Sequence, residues 1–334
     1  SLPESTLEDM GLNEAEKAEF YKLTQRGGVI GAETVMRTVG NNPAEAMAII
    51  LMLHHDKETL EWSDEPLMDM VVRDTDGSLI ETPIVTSDPP PWWRSHKKNA
   101  LFYNGMARGD PKGTMMLATS VCVDTIEEAE RVSRLFVDIQ EYIRSIREPK
   151  YPFSINKDLA YKGEEVFVQN CAGCHGTYNK DESKETYPNL LFPLEVIGTD
   201  PVVAQGGTVH SPELVEWYNG SYYGQTTRME PKDSKSGVVG YVAQPLDGIW
   251  ATGPFLHNGS VPTLAQLLDS STRPDVWRRT SFDTREFDEE RIGWPHEALD
   301  YRQDEAPSTI RKFVYDTGYW SQSNKGHTYG DSLS

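Results

Sequence analysis

Cys171-Ala172-Gly173-Cys174-His175 constrains this chain more than any other feature. Two thiols three positions apart on one helical turn can each add to a vinyl group of a porphyrin. The next residue, His175, is then held beneath the iron as its proximal ligand. Rival uses of such a pair fit less well. A zinc site asks for a second Cys/His pair, and Cys122 is the only other cysteine. A thioredoxin-type redox pair follows a strand in a βαβ unit, and no such unit is evident here. Residues 161–170 read instead as a short amphipathic helix, with Phe167 one turn before Cys171 and facing the porphyrin edge. The reading is a covalent haem c on Cys171 and Cys174 with His175 as an axial ligand.

A length of 334 residues holds one large or two medium domains. No apolar run approaches 18 residues, so no transmembrane segment is expected. The first residues, Ser-Leu-Pro-Glu, are polar and acidic and do not read as a signal peptide. Haem c is attached outside the cytoplasm in bacteria, so the expectation is an exported protein, periplasmic or secreted, whose secretion signal has been removed. A net charge of −20 argues against nucleic acid or anionic membranes as partners and is compatible with a basic redox partner. With both motif cysteines on haem, Cys122 has no disulfide partner, and its apolar setting predicts an inert thiol in the core.

Along the chain, residues 1–150 read as a helical domain with one long irregular insert. Residues 14–23 have weak helical periodicity. Asn42-Pro43 opens a better helix through Met47, Ile49, Ile50, Met52 and Leu53. From Asp64 to Pro91, acidic residues, Asp76-Gly77 and three consecutive prolines predict loop. The strongest helix signal runs from Thr125 to Ile146. Ile126, Ala129, Val132, Leu135, Phe136, Ile139, Tyr142, Ile143 and Ile146 share a face, Thr125 with Glu128 makes a capping box, and Pro149 ends the run. Residues 151–334 read as the haem domain, with helices near 158–171, 211–218 and 262–269 among segments rich in Gly, Pro and Asp. The fold class expected is mainly α: a cytochrome c-like haem domain preceded by an incomplete helical domain, with many long loops.

The segment Gly248-Ile-Trp250-Ala-Thr252-Gly-Pro254-Phe-Leu-His257-Asn-Gly259-Ser-Val-Pro262-Thr-Leu264 resembles the signature of the bacterial dihaem cytochrome c peroxidase superfamily. The likeness is greatest to the branch containing the rubber oxygenases. Pro91-Trp92-Trp93-Arg94, Lys97 to Tyr103, Thr186-Tyr187-Pro188-Asn189 and Asn324-Lys-Gly326-His327 agree with it, in the same order. Members of that superfamily carry two haem motifs and a closing helix. This chain holds one motif and stops soon after His327, so the resemblance implies a fragment whose second haem c lies upstream.

The resemblance also implies roles for particular residues. In the rubber-oxygenase branch the corresponding haem has two histidine ligands, and the residue matching the second is His327. Met229, His210, His257 and His296 are the other candidates for that position. Trp250 and His257 are implied near the haem, His257 by its propionates or between two haems. In peroxidases the same motif lends backbone carbonyls to a structural calcium, matching Thr252 and Pro254. Asn42-Pro43-Ala44-Glu45 is similar to the segment that supplies the distal acid of the peroxidases, although Glu45 also reads as a first-turn carboxylate favoured by the helix dipole. A tryptophan lies between the haems in this superfamily, and Trp92 or Trp93 could fill that place, or either could simply pack.

The functional expectation is a c-type cytochrome with one covalent haem, transferring electrons within a peroxidase- or oxygenase-like oxidoreductase. Its partner would be a redox protein or a second haem domain. The alternative is a non-enzymatic electron shuttle in a redox assembly. A high-spin ferric band, marking an open and reactive iron, discriminates the two.

Overall fold

The computed structural model describes residues 4–33, 37–38, 44–69, 72–80, 84–283 and 285–333. Helix outweighs strand, and irregular segments are abundant. The strongest helix signal becomes Ile126–Ser145. Its start is capped as the sequence suggests on one side only: Thr125 Oγ1 accepts from the Glu128 amide at 3.2 Å. The returning Glu128 carboxylate takes the amide of Asp124, at 2.8 Å, so the reciprocal half of the box slips back one residue. Ala129, Phe136 and Ile143 are buried at seven-residue spacing, whereas Leu135, Ile139 and Tyr142, on the shoulder of the same face, are exposed. The helix meets the core along a narrow stripe rather than the whole face its pattern offers.

The other helices follow the sequence closely. Lys157–Asn170 starts at Asn156, whose side-chain oxygen accepts from the amides of Asp158 and Leu159. Pro212–Gly220 carries its proline in the first turn, and Leu264–Leu268 is capped by Thr263. The weak signal at 14–23 extends to Glu14–Glu33, through Gly27, Gly28 and Gly31. Tertiary contact overrides the glycines there: Arg26 is buried, pairs with Asp124, and lies over the Trp62 ring at 4.8 Å. Ala44–Leu53 buries Ile50, Leu51, Met52 and Leu53. Asn42 and Pro43, and the side chain of Glu45, lie outside the described residues.

One buried cluster draws on distant parts of the chain. Met52, Leu53, Met116, Leu117 and Phe136 pack with Leu214, Trp217, Tyr218, Tyr223 and Met229. The antiparallel sheet Ala100–Leu101, Ala107–Gly109 and Thr227–Met229 ties the same regions together. A two-stranded pair, Leu191–Pro193 with Gly240–Val242, carries the chain from the haem motif towards the Gly248–Leu264 segment. A third sheet has Val276–Arg279 between His296–Ala298 and Val314–Asp316. Cys122 corrects an expectation: it is exposed, not a core thiol. It sits on the short turn Ala118–Cys122, where Ser120 and Val123 point inward and Cys122 outward. Its Sγ donates to the Thr119 carbonyl at 3.2 Å.

Candidate functional site

The helix Lys157–Asn170 hands the chain to a tight turn, Ala172–His175. The amides of Cys174 and His175 both donate to the Cys171 carbonyl, at 3.1 and 3.0 Å, which brings both thiols and the imidazole onto one short turn. Cys171 and Cys174 are free and half-buried, and burial pushes both thiols up, so they are protonated at neutral pH. Gly176 has φ 81, and a Cβ there would lie 2.0 Å from the Thr186 carbonyl oxygen. Only glycine lets the chain fold back so closely behind His175.

His175 is oriented from behind. Its Nδ1 lies 2.8 Å from the Gln244 carbonyl oxygen, which assigns the ring proton to Nδ1 and leaves the Nε2 lone pair free. Burial holds this imidazole below its ordinary pKa, against the raising effect of that hydrogen bond, so it stays neutral.

Across from it stands His327, with ring centroids 6.2 Å apart and planes at 63°. His327 is held by its amide, which donates to the Ile197 carbonyl at 2.8 Å, and has a left-handed backbone, φ 49. Burial first, and the neighbouring His175 second, push its pKa down to about 4. Its Nδ1 is buried without a hydrogen-bond partner. A metal–nitrogen bond of about 2.0 Å and roughly 1.1 Å from nitrogen to ring centre, counted on both sides, give about 6.2 Å between two imidazoles sharing one metal. The spacing of the two rings therefore matches that of two imidazoles holding one iron. Among the described residues no group of three or more His, Cys, Asp or Glu is placed to hold a bare metal ion. Two histidines suffice where a macrocycle supplies the remaining nitrogens.

The remaining ligand candidates pack against other side chains, the rings of His210 and His296 against Trp320 and Trp277 at 5.3 and 6.1 Å. Met229 sits in the buried cluster, its amide and carbonyl both bonded to the Asn219 side chain. His210 Nδ1 meets the Arg73 carbonyl at 2.5 Å, and His296 lies between the Trp294 carbonyl and Gln266. His257 is buried and stacked on Tyr241 at 4.2 Å, with Nε2 3.1 Å from the tyrosine hydroxyl. Burial drives its pKa down to about 3, which keeps it neutral.

A layer the sequence did not reveal braces the haem-motif turn. Phe167 packs edge-on to Tyr178 at 5.8 Å, and the Tyr178 hydroxyl donates to the His175 carbonyl while accepting from the Leu246 amide. Lys97 lies over that ring at 5.2 Å and pairs with Glu185 and Asp247 at 2.7 and 2.9 Å. Arg94 grips Glu148 with two hydrogen bonds, 2.6 and 3.0 Å, and pairs with Glu182 at 2.6 Å. These bonds fasten the 94–97 segment to the loop after the motif and to the strand exit at 244–248. Of the two tryptophans singled out, Trp93 joins this layer through Nε1 to the Asp247 carbonyl at 2.6 Å, whereas Trp92 is exposed. Trp250 donates to the Pro149 carbonyl and packs edge-on against Tyr151 and Phe287. Thr252 Oγ1 donates to the Ile249 carbonyl beside the Gly253-Pro254 peptide, which is cis.

The sequence model of a family described as RoxA-like, cytochrome c-like, matches residues 240–278. That match runs from the strand behind His175 through the Gly248–Leu264 segment and supports the rubber-oxygenase-like branch of cytochromes. A cytochrome c-like domain implies haem c. Two relatives from Sinorhizobium fredii (strain NBRC 101917 / NGR234) are similar over longer stretches. The uncharacterized protein y4iJ is 29% identical over 266 residues, 65% of this chain and 42% of its own length. The uncharacterized protein y4iM is 28% identical over 175 residues, 47% of this chain and 38% of its own. The chain thus spans less than half the length of either. No helix among the described residues is long and apolar enough to cross a membrane.

Proposed function

We propose that this chain is an electron-transferring c-type cytochrome, with Cys171 and Cys174 bonded to one haem and His175 and His327 as its axial ligands. The observation that carries the reading is the 6.2 Å separation of the two imidazoles. When bound, the haem iron supplies a one-electron couple. The protein's part is to hold both imidazoles neutral and in place. Gln244 aims His175, and the Ile197 carbonyl anchors His327. Two histidine ligands leave peroxide or dioxygen no coordination position, so the role of this site is relay rather than reaction. The relay would serve a peroxidase- or oxygenase-like oxidoreductase outside the cytoplasm, whose reacting haem c lies elsewhere in the whole protein. Phe167 and Trp93 belong to the packing that surrounds the relay.

The test is the ferric spectrum of the haem-loaded chain and its His327→Ala variant. The parent is low-spin and without the weak near-infrared sulfur-to-iron band of a His/Met site. His327→Ala turns high-spin, and a variant that stays low-spin overturns the ligand assignment.

A further inference from the structure

We propose that Arg273 is the positioning residue for His327, its guanidinium locking the 324–327 backbone so that the imidazole stays opposite His175. The inference rests on the reading of His327 as an axial ligand. Arg273 has five N–H donors, and each meets a backbone carbonyl. Nε donates to Gln266 at 3.0 Å, and Nη2 to Leu267 at 2.9 Å. Nη1 donates to Asn324 and Gly326 at 2.8 and 2.7 Å, and the other Nη2 hydrogen reaches the carbonyl of His327 itself at 3.1 Å. Two acceptors belong to the helix Leu264–Leu268 and three to the loop that carries His327. All five of these charge-assisted bonds go to backbone carbonyls.

The loop needs such a clamp. Gly326 has φ 76, and a Cβ there would lie 2.2 Å from the Gly198 carbonyl carbon, so the chain passes tightly against 198–199 on one side. His327 follows with its own left-handed backbone, a conformation uncommon outside glycine. The Asn324 side chain adds a bond to the Pro274 carbonyl at 3.0 Å, next to Arg273. A lysine keeps the charge but has three donors on a single nitrogen and cannot span five carbonyls in a plane.

The experiment uses the haem-loaded full chain and its Arg273→Lys variant. Covalent haem content, the ferric spin state by visible and electron paramagnetic resonance spectra, and carbon monoxide binding to the reduced form are measured on the same sample. Covalent haem is expected to stay at the parental level, since the thioether sites lie on another segment. The ferric spectrum is expected to gain a high-spin component, the reduced form to bind carbon monoxide, and added imidazole to restore the low-spin spectrum. A role in stability alone would lower the melting temperature and leave the loaded fraction low-spin and closed to carbon monoxide, which overturns the proposal. His327→Ala run in parallel separates the two failures. If it turns high-spin while Arg273→Lys does not, positioning fails and the ligand assignment stands; if it stays low-spin, both fall. Should Arg273→Lys fail to accumulate, Arg273→Gln, which keeps a shorter planar donor group at the same position, is loaded in its place, and the same readouts decide.

Discussion

The Gln244 carbonyl oxygen sits 2.8 Å from His175 Nδ1, and the His327 ring packs against the same imidazole at 6.2 Å. A residue far along the chain from the haem motif thereby sets the tautomer of the motif's own histidine. Because Gln244 offers its backbone, the contact survives any substitution at that position that keeps the strand exit in place.

Thiol accessibility provides the first prediction. Cys122 is exposed, whereas Cys171 and Cys174 are half-buried and are the proposed thioether sites. Intact mass of the haem-loaded chain after alkylation and denaturation is expected to show one added group, and the Cys171→Ala, Cys174→Ala double variant is expected to lose haem into acidified organic solvent. Three added groups on the loaded chain would refute covalent attachment.

Met229 separates core from ligand. Its side chain is buried among Leu214, Trp217 and Tyr218, so Met229→Ala is expected to cost about 2–4 kcal/mol of stability. The ferric spectrum is expected to stay as in the parent. Urea unfolding and a visible spectrum check both halves, and a high-spin Met229→Ala protein would reverse the assignment.

Arg94 holds the brace beneath the motif. Its side chain is largely buried, and so is that of Asp247, 3.4 Å away, so removing the guanidinium takes one of two cations from a buried carboxylate and leaves it Lys97 at 2.9 Å. Arg94→Ala is expected to lose about 2 kcal/mol through its charge-assisted hydrogen bonds to Glu148, kept modest because Glu148 and Glu182 reach solvent and Lys97 still pairs with Asp247. Urea midpoints measure it, and a loss under about 1 kcal/mol would mark the network as surface decoration.

Asp88 predicts a pH dependence. Burial pushes its carboxyl up to about 8. Between pH 4 and 8 the unfolded chain has released a proton that the folded chain keeps, so stability falls as pH rises through that window. Asp88→Asn removes the penalty, and the variant is expected to gain about 1–3 kcal/mol over the parent at pH 8, with the gap closing towards pH 4. Denaturation at several pH values tests this, and a gap that does not change with pH would sink it.

Much of the site was legible because its chemistry is local. Cys171, Cys174 and His175 lie within five consecutive residues, and the helix ahead of them is set by Asn156 and its apolar spacing. Capping and periodicity act within a few residues, so Ile126–Ser145, Pro212–Gly220 and Leu264–Leu268 follow from the chain alone. Donor chemistry does not distinguish His327 from Met229, His210, His257 and His296; only the resemblance carried by Asn324-Lys-Gly326-His327 pointed to it. What tertiary structure alone decided is the packing that brings its ring 6.2 Å from that of His175. The same holds for Cys122, whose apolar neighbours suggested burial while the turn points it outward, and for Arg94, whose partners come from three separate segments. Contacts between residues far apart in sequence depend on how all the intervening segments pack, and no local pattern encodes that sum.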